Sequence, residues 1–220
     1  MSVRIWRYGL VVGNGNPADG RLVAERESPE IRKDAMKRSE IVAIVGSLEF
    51  PANVTKWELR DSTGWSIAHE AARQGKLPRG FDRWEIAEKI MGISVAHVAA
   101  RCGGLPEGFD RWDISLDRGW TVAHEAAHCG HLPIGFDQWE IATDDGWSVA
   151  HEAAAYGRLP DRFDQWGIKD KSGWSVAHEA ARWGPLPDGF DMWDLKSGDG
   201  MTVAQVAERH RRLRDGARAS

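Results

Sequence analysis

The stretch GWSVAHEAAAYGRLPDRFDQWGI, from Gly146 to Ile168, is one of five near copies of a single unit. Successive copies of its histidine are 28, 27, 27 and 27 residues apart, at His69, His97, His124, His151 and His178. A fixed period of about 20–50 residues is typical of solenoids, in which each unit buries its apolar face only against its neighbours. The period therefore predicts a stacked array and favours binding over catalysis.

Each unit predicts a short helix followed by a turn and a loop. Ser148 and its equivalents stand where a hydroxyl can cap the first helical turn. Gly75, Gly103, Gly130, Gly157 and Gly184 can supply the left-handed residue that ends a helix. The enclosed helix has only about eight residues and would be marginal alone in water, so packing must hold it. Paired alanines such as Ala153-Ala154 give it a small face that lets neighbouring helices approach closely.

Two aromatic columns follow the helix, in the pattern Leu-Pro-x-x-Phe-Asp-x-Trp. Aromatic side chains bury a large apolar area, so we interpret both columns as packing that compensates for the short helices. The columns are Phe81, Phe109, Phe136, Phe163 and Phe190, and Trp84, Trp112, Trp139, Trp166 and Trp193.

The array extends beyond the clear copies. One period earlier, Ser39, Pro51 and Trp57 occupy the positions of Ser66, Pro78 and Trp84, which predicts a diverged opening unit. A closing unit begins at Gly200. We therefore assign the array to residues 39–207, about five full and two partial units, with an arginine-rich tail at 208–220.

Residues 1–38 do not repeat. Alternating apolar residues predict a small β-hairpin, and Ser28-Pro29-Glu30 is typical of a helix start that would run toward Val45. This segment could be a cap, a separate partner site or partly disordered.

Charge and cysteine content set further limits. The chain carries 29 Lys and Arg against 33 Asp and Glu, a net charge of −4, and the array between residues 41 and 207 accounts for 16 basic and 25 acidic side chains. No run approaches the roughly 18–20 apolar residues that span a bilayer, nor a signal peptide. We expect a cytoplasmic protein that does not contact a membrane, with Cys102 and Cys129 as free thiols.

The helix signature resembles the ankyrin repeat, in which Gly-x-Thr-Pro-Leu-His-x-Ala-Ala-x-x-Gly opens each unit; Gly146–Gly157 is the corresponding stretch. The loop Asp170–Gly173 is similar to the Asp-x-x-Gly turn of that family. The period of 27 is shorter than the family's, about 33, and the missing residues fall where the second helix should lie. The resemblance implies a mainly α solenoid of stacked ankyrin-like repeats with a truncated second helix, no catalytic centre, and a protein partner on the concave helix and loop surface.

The histidine column could suggest a metal ladder. Stacked units lie roughly 10 Å apart, however, and one histidine per unit cannot converge on a zinc ion with Zn–N bonds of about 2.0–2.1 Å. We therefore interpret the imidazoles as bonding backbone groups within or between units. Phosphate-loop, nucleophile-elbow and HExxH motifs are lacking in the sequence, so we expect no enzyme, metal or cofactor.

Three sets of residues are candidate partner contacts. A glutamate follows the histidine in four units and would form either a negative stripe that steers a basic partner or a solvated helix face. A tryptophan precedes the cap in four units and would form either an exposed binding ladder or filling for the gap left by the second helix. The pairs after Ala-Ala vary between units, which indicates freedom from packing. The candidates are Glu70, Glu125, Glu152 and Glu179; Trp65, Trp120, Trp147 and Trp174; and Arg73, Gln74, Arg101, His128, Tyr156, Arg182 and Trp183.

Together these features predict a non-enzymatic interaction module, an adaptor or inhibitor, that binds a protein through the concave helix and loop face. The alternative is an acidic mimic of DNA that inhibits a nucleic-acid-binding protein, or contact of the basic tail with nucleic acid. The tail is better interpreted as a solvated helix end, so a nucleic acid is the less favoured partner.

Overall fold

The computed structural model describes residues 36–47 and 56–218, with side chains as far as Arg211. The chain divides into two compact units, residues 1–33 and 34–220, and all the described residues lie in the second. The N-terminal hairpin and the start of the helix predicted from Ser28 fall outside the described residues.

The described part of the chain is mainly helical, and each α-helix packs against the next one along the sequence. The five central helices have seven or eight residues, in agreement with the short helix predicted from the repeat. The helices are α1 (Arg38–Gly46), α2 (Ile67–Arg73), α3 (Val95–Cys102), α4 (Val122–Cys129), α5 (Val149–Ala155), α6 (Val176–Trp183) and α7 (Val203–Arg218), with a 3-10 turn at Asp117–Gly119.

The predicted caps begin the helices from α2 to α6. In α5 the Ser148 hydroxyl accepts a hydrogen bond from the His151 amide at 3.3 Å, and the equivalent bond recurs in the other four helices. At the far end, Gly103 and Gly130 are left-handed as predicted, with φ of 69° and 78°. The prediction is wrong for Gly184, which is extended at φ −156°, because the next residue is Pro185 and proline disfavours a helical residue before it.

The segment before each helix satisfies its first amides. In α4 the amides of Val122 and Ala123 donate to the carbonyls of Ile114 and Trp112 at 2.9 and 3.2 Å. The same two bonds precede α2, α3, α5, α6 and α7. The first amides of a helix have no partner within it, so the Trp-x-Ile or Trp-x-Leu segment caps the helix that follows.

Single turns replace the second helix. After each Leu-Pro, the amide of the phenylalanine donates to the proline carbonyl, as from Phe136 to Pro133 at 3.1 Å. A further turn follows, in which the Ile141 amide donates to Gln138 at 3.3 Å. This confirms the truncated second helix that the short period predicts.

An aromatic ladder takes the place of that helix. The two aromatic columns alternate, starting from Trp57 and ending at Trp193, and every neighbouring pair meets edge to face with ring centroids 4.9 to 5.6 Å apart. Edge-to-face pairs of this kind add about 0.5–1.5 kcal/mol beyond the area they bury. The ladder crosses from unit to unit without a gap and so joins consecutive repeats along one side.

Small residues pack the helices together on the inner side. Ala123, Ala126 and Ala127 of α4 are at most 1% exposed, and the equivalent alanines of the other central helices are buried as well, apart from Ala180 of α6. The loops approach just as closely: a Cβ on Gly173, whose φ is +79°, would lie 2.6 Å from the amide nitrogen of Gly198 in the next unit. Glycine is therefore required there by both backbone conformation and space.

The terminal units depart from the repeat. Ser39 has the cap position by spacing but lies inside α1, because that helix begins at Arg38 and its cap residue is Lys37. The Lys37 amide donates to the Glu40 carboxylate at 2.8 Å. At the other end α7 continues to Arg218, so most of residues 208–220 extend the helix of the closing unit. None of the described helices is long and apolar enough to cross a membrane.

Candidate functional site

The histidine column joins consecutive repeats. The Ser148 hydroxyl contacts Nδ1 of His151 at 2.7 Å, and Nε2 of the same ring lies 3.1 Å from the carbonyl oxygen of Trp174 in the next unit. A carbonyl can only accept, so Nε2 carries the proton and Nδ1 accepts. All five histidines make this pair of contacts, as the backbone-bonding interpretation predicts.

Burial keeps these imidazoles neutral. Each of the five is at most 1% exposed. Desolvation lowers the pKa of His69 and His97 to about 4, and it lowers the pKa of His124, His151 and His178 as well. The bonded carbonyls oppose this shift without cancelling it. The column is structural, with every ring nitrogen already engaged.

The carboxylate column (Glu70, Glu125, Glu152 and Glu179) corrects the sequence prediction. Both interpretations placed these side chains on the surface, but they are 0%, 6%, 7% and 3% exposed. The acidic stripe that would steer a basic partner is therefore wrong for these residues. The reason is that each carboxylate accepts hydrogen bonds inside the stack, which offset part of its lost hydration.

The indole column (Trp65, Trp120, Trp147 and Trp174) supplies one of those donors. In each case the ring nitrogen donates to the glutamate five residues later, at 2.9 to 3.3 Å. The same indoles lie over the histidine rings, with centroids 4.9 to 5.2 Å apart. The rings are half-buried, so they are not a fully exposed ladder; they pack on the histidine and carboxylate columns, while the aromatic ladder occupies the place of the second helix.

Apart from the diverged opening unit, two units lack both members of this pair. In the unit of α3, Ile93 and Val98 stand where the others have Trp and Glu, and in the closing unit Met201 and Val206 do so. Ile93, Val98 and Val206 are all buried. The paired replacement was a signal in the sequence that these side chains touch, which the prediction of an exposed glutamate column missed.

The residue four positions after each histidine decides what else reaches the carboxylates. Arg101 reaches across to Glu125 of the next unit at 2.7 Å, and His128 reaches Glu152 at 2.9 Å. Where the next unit has valine instead, as at Val98, the arginine turns back to its own helix. Arg73 thus binds Glu70, and Arg182 lies 3.9 Å from Glu179.

These contacts shift the pKa of two of the carboxylates in opposite directions. Burial opposes ionisation of Glu70, but hydrogen bonds from Arg73 and Gln74 outweigh it and lower its pKa. Burial raises the pKa of Glu179, against the hydrogen bonds from the indoles of Trp183 and Trp174 and the more distant Arg182.

The variable pairs form the exposed part of the helix surface. In α4 every residue from Val122 to Ala127 is buried, and exposure begins at His128. The largest exposed side chains of the set are Tyr156 and Trp183, at 48% and 56%. We call these residues the variable face: Arg73, Gln74, Arg101, Cys102, His128, Cys129, Ala155, Tyr156, Arg182 and Trp183.

Comparison with known proteins supports the fold. No family model matches the chain, and no curated protein matches it either. Among solved structures, the ankyrin repeat domain of Bcl-3, described as a unique member of the IkappaB protein family, matches with a TM-score of 0.51. The match is 20% identical and covers 74% of this chain and 86% of that one. The repeats form an ankyrin-like solenoid.

The ankyrin-like helices have a second cross-unit contact that the sequence analysis missed. Lys76, His131 and Arg158, each just after the helix-ending glycine, donate to carbonyls at the C-terminal end of the preceding helix, at 2.7, 2.8 and 3.1 Å. Basic side chains at a helix C-terminus satisfy free carbonyls and the helix dipole. The recurring basic residue was visible in the sequence, but its partner lies 31 residues away.

The solenoid holds no arrangement typical of a metal site in its described part, where no three His, Cys, Asp or Glu side chains group together for one ion. Cys102 and Cys129 are free thiols. Burial raises the pKa of the Cys129 thiol, which disfavours the reactive thiolate.

Proposed function

We propose that this chain is a non-enzymatic protein-interaction module, an adaptor or inhibitor, that binds a protein partner through the variable face. The observation that carries the proposal is the pattern of variation. The inner helix positions repeat and are buried, whereas the variable face differs in every unit and reaches solvent. Residues free of packing constraints are available for recognition.

The C-terminal half of the variable face is the proposed centre of binding. Tyr156 packs against His128 with centroids 4.6 Å apart, and the Arg158 guanidinium lies 5.1 Å from the Tyr156 ring. Arg182 lies 5.2 Å from the Trp183 ring. Exposed tyrosine, tryptophan and arginine are the residues most enriched at interface hot spots. A partner would meet aromatic rings and cationic groups here.

The carboxylate and indole columns have an indirect part in this proposal. Glu125 and Glu152 hold Arg101 and His128, and Glu179 accepts a hydrogen bond from Trp183 at 2.5 Å. They would therefore position the residues that touch the partner. The basic partner surface expected from an acidic stripe is not part of the proposal, whereas the cytoplasmic setting is, in keeping with the two free thiols.

The test is quantitative affinity capture with the full chain and a Tyr156→Ala/Trp183→Ala variant. The matched control is Ile134→Ala, which removes a fully exposed apolar side chain from the turn before Phe136. We expect partners held by wild type and control to be reduced at least about tenfold with the double variant, since hot-spot truncations cost about 2 kcal/mol or more. Equal capture by all three proteins would reject the variable face as the binding surface.

A second candidate is favoured by a different surface. The aspartate after each ladder phenylalanine is exposed in all five units, at Asp82, Asp110, Asp137, Asp164 and Asp191. Such a row suits the DNA-mimic alternative, with a basic nucleic-acid-binding protein as target. Charge reversal at Asp137 and Asp164 would abolish capture under this alternative and leave it unchanged under the first. Direct nucleic-acid contact through α7 would instead weaken steeply with added salt.

A further inference from the structure

The contacts between consecutive units differ in one respect that bears on regulation of the variable face. The residue four positions after the histidine bridges to the next unit's carboxylate at two places, through Arg101 to Glu125 and through His128 to Glu152. An arginine stays charged at every physiological pH. A histidine changes charge between about pH 5 and 8. The chain thus contains a constant bridge and a titratable bridge in the same structural position.

The titratable bridge is built into the proposed binding surface. Nδ1 of His128 lies 2.9 Å from Oε1 of Glu152, while the other oxygen of that carboxylate accepts the Trp147 indole at 2.9 Å. The carboxylate can only accept, so Nδ1 carries a proton in this contact. The same imidazole packs edge to face with Tyr156, with ring centroids 4.6 Å apart. A change in the imidazole charge therefore acts at once on the contact between units and on an exposed aromatic ring.

We propose that the His128–Glu152 pair makes the contact between the α4 and α5 units, and the adjoining Tyr156 surface, respond to pH in the range where a histidine changes charge, about 5 to 8. The pair is tightest when the imidazole is charged and loosens as it loses that charge. The consequence for partner binding rests on the proposed function, whereas the response of the contact itself does not.

The charges around His128 favour this direction. The hydrogen bond to Glu152 is the largest influence and raises the pKa of the imidazole, against the opposing effect of burial. Glu125, on the same helix, adds to the rise, and Arg158 of the next unit lowers it. Glu125 is itself paired with Arg101, and the rings of Trp120 and Tyr156 also lie next to the imidazole. The nearest carboxylate, Glu152, is therefore the reason why the pKa of His128 is raised.

The test follows the imidazole of His128 by NMR between pH 5 and 9 in the full chain, in Glu152→Gln and in His128→Arg. We expect His128 to titrate above an ordinary histidine, and Tyr156 ring signals to shift with the same midpoint. In Glu152→Gln the midpoint should fall by about one unit, since an opposite charge at this distance shifts a pKa by about 1–3 units. In His128→Arg the Tyr156 shift should disappear.

The reciprocal variant is Arg101→His, which should add a second titration of the same kind at Glu125. A His128 midpoint at or below that of an ordinary histidine, or one unchanged in Glu152→Gln, would overturn the proposal. So would a Tyr156 shift that persists in His128→Arg. None of these measurements needs a partner, so they can fail while the capture experiment succeeds.

Discussion

Two sets of side chains run along the stack, the aromatic ladder and the paired indole and carboxylate columns, and they tolerate substitution differently. The aromatic ladder is unbroken, with a phenylalanine and a tryptophan in every full unit. The indole and carboxylate columns are interrupted twice, each time by an apolar pair, and the helices keep their packing there. The ladder is therefore the indispensable replacement for the missing second helix, whereas the Trp–Glu pair is one of two combinations of side chains that can pack beside the histidine column.

Removing a ring from the middle of the aromatic ladder should have the largest effect on the free energy of unfolding. Trp112 is 5% exposed and contacts Phe109 and Phe136 edge to face. Trp112→Ala should lower the free energy of unfolding by about 3–5 kcal/mol, as expected for a buried tryptophan. Denaturant unfolding followed by circular dichroism measures this. Trp193→Ala, at the 41% exposed end of the ladder, should cost clearly less; an equal cost would contradict the ladder.

Removing half of a Trp–Glu pair should cost less than cutting the ladder. Glu125→Val leaves the Trp120 indole and the Arg101 guanidinium without their acceptor, for an expected loss of about 1–3 kcal/mol. Adding Trp120→Ile copies the natural Ile93/Val98 pair and should restore at least about half of that loss. A double-mutant cycle measures the coupling. Additive losses from the two substitutions would contradict the contact.

A smaller effect on the free energy of unfolding, and one that depends on pH, is expected from a single buried histidine. The unfolded chain protonates histidine below about pH 6.5, but the folded stack resists protonation until the pH nears the lowered pKa values, about 4 for His69 and His97. Stability is therefore complete above pH 6.5 and falls as the pH drops toward 4. Because Gln205 makes the same cap contacts at the histidine position of the closing unit, His151→Gln is the matched variant.

In His151→Gln, proton uptake on unfolding below about pH 6.5 should fall, by no more than about one proton. Unfolding titrations at several pH values measure that slope. An unchanged slope would show that His151 is protonated in the folded protein, against the buried neutral ring.

The smallest effect should come from the variable face. Tyr156 is 48% exposed, and its contacts with His128 and Arg158 lie at the surface. Its replacement by alanine should change the free energy of unfolding by no more than about 0.5 kcal/mol, as is usual for surface positions. A loss as large as that of Glu125→Val would assign this side chain to the stack and remove it from the binding surface.

The features that could be predicted from the sequence are those that depend on residues close together in the chain. The helix, its caps, the close glycine turns and the aromatic packing follow from residues near one another in sequence, and their repetition gave the stack. The buried glutamates were mispredicted because their environment is assembled from three places: Trp147 five residues before Glu152, the neighbouring helices, and His128 from the unit before. Only the joint replacements, at Ile93 and Val98 and at Met201 and Val206, carried that information.

Hydrogen exchange of the tryptophan indoles, followed by NMR, tests most directly whether the carboxylate column is buried and bonded to the indole column. We expect slow exchange for Trp65, Trp120, Trp147 and Trp174, and rapid exchange of Trp120 alone after Glu125→Val. Rapid exchange of all four indoles in the wild-type chain would show that the carboxylates face water, and would contradict their burial in the stack.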